Sequence, residues 1–144
     1  MKMNTQETEE YFMKKFQAKT PTAKCKAIFD CFALYSKAQN ATALTRSKKR
    51  MEKLDDSAEI NYRLACKQLS MLSESELTMY LTLLRDNMTK AFASAKEEQK
   101  LSTRMDYSMR LRHIPANLTS EQQSLRDEMV ELLENYYVKD GRQM

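Results

Sequence analysis

From Thr22 to Ile114 the chain contains neither glycine nor proline. A stretch that long without the two residues that most readily turn or stop a helix has few options other than helix. The whole chain of 144 residues holds one Gly, at position 141, and two Pro, at 21 and 115. A dinucleotide-binding fold needs several glycines where the backbone meets the pyrophosphate, and a P-loop needs more than one. A sandwich or barrel needs turn residues every ~10 positions. The sequence therefore predicts an all-α protein and excludes the common glycine-dependent nucleotide sites.

The length predicts a single α-helical domain spanning 1–144. With 42% hydrophobic and 31% charged residues, the chain is too apolar for a disordered tail and too polar for a membrane protein. The N-terminal Met1-Lys2-Met3-Asn4-Thr5 has no apolar core of a signal peptide, Lys2 stands where myristoylation needs glycine, and the C-terminus is no prenylation box. The three cysteines, Cys25, Cys31 and Cys66, include no CxxC. Reduced thiols and an intracellular location, cytoplasmic or nuclear, are expected. The sequons at Asn40, Asn87 and Asn117 are read as chance matches on that basis.

Capping signals divide the chain. A first helix is expected over Thr5 to Lys19, with Glu7, Glu9 and Glu10 early and Lys14, Lys15 and Lys19 late, as the helix dipole favours. Its apolar stripe is Tyr11, Phe12 and Phe16, with Met13 beside it. Thr20-Pro21 reads as an N-cap followed by proline at the first helical position. The second helix is expected from Pro21 to Gln39 with Cys25, Ile28, Phe29, Phe32 and Ala33 inward, and a break or a bend near Asn40. Between Thr45 and Leu72, Met51, Leu54, Ala58, Tyr62, Ala65, Leu69 and Leu72 recur every three or four residues.

Ser73-Glu74-Ser75-Glu76 is a capping box, and Leu77, Leu81, Leu84, Met88, Ala91 and Ala95 follow it in helical register. The same register runs on through Glu98 and Ser102 to Met105 and Met109. No breaker marks an end, so one long helix from Glu74 to His113 is expected in preference to a break between Gln99 and Thr103. Pro115 ends it. Thr119-Ser120-Glu121-Gln122 opens a last helix to Val138, striped by Leu125, Met129, Leu132, Leu133 and Tyr136, with Gly141 as its C-terminal cap. The result is an irregular bundle of four to six helices, dominated by the helix that starts near Glu74.

Catalytic chemistry finds little to use. The one histidine, His113, is expected to serve as a charged cap at a helix C-terminus. Cys25, between Lys24 and Lys26, is the one thiol with activating neighbours, and reads more simply as a small core hydrophobe. The cysteines and His113 lack the close pairs of a zinc knuckle, a di-iron bundle needs a second histidine, and there is no calcium loop. No catalytic residue, metal site or cofactor is expected.

Two surfaces stand out. Arg46, Lys48, Lys49, Arg50 and Lys53 form a basic cluster with Glu52 its only acid, and Arg104, Arg110 and Arg112 form a looser one with His113. Such clusters neutralise phosphates, and the first also reads as a nuclear localisation patch. The segment from Thr119 to Asp140 is acidic, and docks on a basic face of the chain itself or on a basic partner. Methionine is abundant, 11 residues. Most of these fill a core, but Met105 and Met109, with Tyr107 and Leu111, lie on the far part of the long helix and are the candidate partner-binding face. The sequence therefore points to a non-enzymatic helical protein–protein interaction module (an adaptor, regulator or inhibitor) that binds another protein or a second copy of itself. The alternative is a small nucleic-acid-binding regulator that uses the basic clusters. No membrane partner is expected.

Overall fold

A computed structural model describes residues 5–44 and 46–136. These form six α-helices and no strand: α1 (Thr5–Gln17), α2 (Pro21–Leu44), α3 (Lys48–Ser70), α4 (Glu74–Ser94), α5 (Lys100–Arg112) and α6 (Ser120–Glu134). None of the described helices is long and apolar enough to cross a membrane. Length alone suggests a single domain; the chain divides into two compact units, Met1–Ser73 and Glu74–Met144, with the boundary at the Ser73 capping motif.

In the first unit the Thr20 hydroxyl accepts from the Ala23 amide at 3.3 Å, capping α2 as the Thr-Pro pair predicts. Asn40 neither breaks nor ends α2, which runs on to Leu44. Asparagine costs a helix only a few tenths of a kcal/mol, so neighbouring helical residues carry it. Ser47 then caps α3 by accepting from the Arg50 amide at 3.3 Å. The short connection returns α3 antiparallel along α2, as the Tyr35–Tyr62 ring contact at 5.1 Å and the Cys31–Gln68 contact at 3.7 Å record. Cys25, Ile28, Phe32 and Ala38 of α2 pack with Ala58, Leu64, Ala65 and Leu69 of α3, and Met13 and Phe16 of α1 close the core.

Helix α1 corrects the expected stripe. Tyr11 and Phe12 are exposed, and the inward line is Glu9, Met13 and Phe16. Glu9 faces inward because α3 presents cations to it: Arg63 Nε donates to one carboxylate oxygen at 2.6 Å, and Lys67 Nζ lies 3.6 Å from the other. The Arg63 hydrogen bond holds the Glu9 carboxyl below its ordinary pKa. Ala33 of α2, expected inside, is exposed.

The second unit corrects the long helix. α4 ends at Ser94, Glu97–Gln99 form a single 3₁₀ turn, and α5 starts at Lys100. The break carries its own cap: the Lys96 amide donates to the Gln99 side-chain oxygen at 3.3 Å, and the Gln99 amide to the Lys96 carbonyl at 2.8 Å. The tertiary gain is visible in the rings. Phe92 and Tyr107 meet edge-to-face at 5.6 Å. On one straight helix, fifteen residues apart, they would be separated by ~22 Å. Breaking the helix also lets α5 bring Met109 and Leu111, with Ile114 beyond its end, into a core with Leu77, Tyr80, Leu81, Leu84 and Met88 of α4 and Leu125 and Met129 of α6.

Helix α6 starts at the expected capping box, with the Gln122 amide donating to the Thr119 hydroxyl at 3.2 Å and the Thr119 amide to the Gln122 side chain at 3.0 Å. Gln122 is buried, and its amide nitrogen also donates to the Glu74 carbonyl at 2.9 Å and to the Thr78 hydroxyl at 3.1 Å. One side chain thus caps α6 and ties it to the first turn of α4. The expected end at Val138 and the cap at Gly141 lie outside the described residues; α6 ends at Glu134.

Candidate functional site

The candidate partner face of Met105, Tyr107, Met109 and Leu111 is divided by the fold of α5. Met109 and Leu111 are core residues of the second unit. Tyr107 is half-buried against Phe92, and its phenol is shifted up in pKa by that burial. Met105 is 62% exposed, and Leu101, one turn earlier on the same helix, is 50% exposed. The remaining outward apolar pair is therefore Leu101 and Met105. Sequence reasoning missed Leu101 because the assumed continuous register placed Glu98 and Ser102, not Leu101, on the seam.

The second basic cluster also divides. Arg104 and Arg112 are exposed. Arg110 is buried: its Nε lies 3.3 Å from the Asp106 carboxylate and its guanidinium 5.5 Å from the Tyr107 ring centre. A cation committed to an aspartate one turn away and stacked on a ring is a structural element of α5, not a free phosphate ligand.

The first cluster stays together. Arg46, Lys48, Lys49, Arg50 and Lys53 are all exposed, at the start of α3 and the turn before it. The acidic α6 makes one described ion pair, Arg85–Glu128 at 3.3 Å, within its own unit.

No disulfide joins the cysteines. Cys25 is fully buried, as its core reading requires. Burial, and then the charge of Asp30, raise the Cys31 thiol to about 11, and burial raises Cys66 as well. Both thiols are held in the protonated, weakly nucleophilic form. His113 does cap the C-terminus of α5, but not as the charged cap expected: burial and then the Arg112 charge lower its pKa from 6.5, favouring neutral imidazole at neutral pH. Among the described residues no group of His, Cys, Asp or Glu side chains is arranged to hold a metal ion.

No known protein family, curated protein or solved structure matches this chain.

Proposed function

We propose that the protein is a non-enzymatic helical interaction module that binds another protein, or a second copy of this chain, through exposed apolar side chains on its helices. The observation that carries this reading is the Leu101–Met105 pair. Two large apolar side chains one turn apart stay in water while Met109 and Leu111 of the same helix are buried. Methionine and leucine at helical spacing suit a partner helix or groove, because the flexible thioether adapts to an uneven surface.

The test is the Leu101→Glu, Met105→Glu double variant, compared with wild type by light scattering and by co-purification from cell extract. The expected result is an unchanged far-ultraviolet spectrum with loss of the dimer or of a co-purifying protein. A wild-type chain that is strictly monomeric and retains no partner overturns the reading.

A further inference from the structure

The α2–α3 connection carries a feature that the apolar reading leaves unused. Arg46, Lys48, Lys49, Arg50 and Lys53 crowd one helix start, and all five are exposed. Among the described residues none of them is in an ion pair, whereas Arg63, Lys67, Arg85, Lys100 and Arg110 each meet a carboxylate. The acids of α3 begin further in, at Glu52, Asp55 and Asp56, so the turn and the first helical turn carry cations alone. Positive charge at a helix N-terminus opposes the dipole of that helix, so the cluster adds nothing to the stability of α3.

We infer that this tip of the α2–α3 hairpin is a binding surface for the phosphate backbone of duplex nucleic acid. Like charges exposed together at one helix start attract a polyanion and release its counterions on contact. The surroundings select among polyanions. An interfacial membrane helix needs a broad apolar face to enter the lipid, and among the described side chains of this tip the one large apolar group that is exposed is Met51, at 36%. Single strands are held by stacking bases on aromatic side chains. The exposed aromatics of this unit, Tyr11 and Phe12, sit on α1, which Glu9 fastens to Arg63 and Lys67. Arg63 lies ~22 Å along α3 from Lys48. Among its described residues the tip has cations and neither of the other two devices, as a surface that reads backbone and not sequence would.

The experiment measures binding of the full chain to labelled duplexes of about 20 base pairs and unrelated sequence, by fluorescence anisotropy at several salt concentrations. Binding is expected at about 50 mM salt, equally for each sequence. With about five phosphates neutralised, affinity is expected to fall roughly 500-fold between about 50 and 200 mM. The Lys48→Glu, Lys49→Glu, Arg50→Glu variant is expected to bind at least about tenfold more weakly at the lowest salt, since three phosphate contacts are replaced by repulsion. Acidic residues suit the first turn of a helix, so this variant is expected to keep its helical spectrum. Should it fail to fold, single Lys49→Gln and Lys53→Gln variants are each expected to reduce the salt slope by about one. The Arg104→Glu, Arg112→Glu variant is expected to bind as wild type does. Absence of duplex binding at low salt, full affinity in the triple variant, or unchanged salt slopes in the single variants overturns the proposal. So does tighter binding to single strands than to duplex, or binding to phosphatidylserine vesicles without binding to duplex.

Discussion

Met105 and Met109 are one helical turn apart, and the fold puts one in water and the other in the core. A buried carboxylate without a partner is among the most costly changes a core can suffer. Met109→Glu is therefore expected to lower stability by at least about 3 kcal/mol, and Met105→Glu by less than about 0.5 kcal/mol, in urea unfolding of each. Similar losses for the two would mean that Met105 is also packed. Gln122 gives a second residue-level test. It satisfies the Thr119 amide and donates to Glu74 and Thr78 from a buried position. Gln122→Leu keeps the volume but removes all three bonds and leaves the Thr119 amide without its acceptor, while Thr78 still donates to the Glu74 carbonyl; it is expected to cost about 2 kcal/mol. Glu9 titrates below its ordinary 4.5 in the folded protein. A depressed carboxyl stabilises the fold above its unfolded pKa, and that contribution is lost as pH falls through the folded value. Glu9→Gln is thus expected to narrow the stability difference between neutral pH and pH below about 4.5, measured by thermal unfolding.

At the scale of elements, the starts of α2, α4 and α6 were legible, and the end of α2 and the break between α4 and α5 were not. Thr20-Pro21, the Ser73 motif and the Thr119 box place α2, α4 and α6 where the structure has them, because a cap is a contact between neighbours in sequence. The gap between α4 and α5 is capped by Lys96 and Gln99, without the Ser, Thr, Asp or Asn that announces a cap in the sequence. Lys96-Glu97-Glu98-Gln99 are acceptable helix residues, and what ends the helix is the packing of α5 against α4. Proline tests this. Lys96 already has φ −71° and ψ 156°, which proline adopts readily. Lys96→Pro loses the exposed amide bond to Gln99 and is expected to cost only about 1 kcal/mol, while Asn87→Pro inside α4 is expected to cost about 3 kcal/mol or more. Equal, large losses at both sites would mean a continuous helix.

For the whole molecule, the two compact units carry the two proposed surfaces separately: the basic tip on the first, Leu101 and Met105 on the second. The expected outcome is a double separation. The Lys48→Glu, Lys49→Glu, Arg50→Glu variant keeps its solution mass at physiological salt, and the Leu101→Glu, Met105→Glu variant keeps its affinity for duplex. Loss of both properties in either variant would mean one shared surface.

The all-helical class, the cap positions and the basic cluster follow from residue identity and short-range spacing, since helix propensity, capping and charge density are properties of a few neighbouring residues. The break after Ser94, the inward turn of Glu9 and the burial of Met109, Leu111 and Arg110 depend on side chains far away in sequence. Helical periodicity says which residues share a face, but a face becomes core only when another helix covers it. Here that covering comes from α4 and α6 closing on α5, and from α3 offering Arg63 and Lys67 to a glutamate.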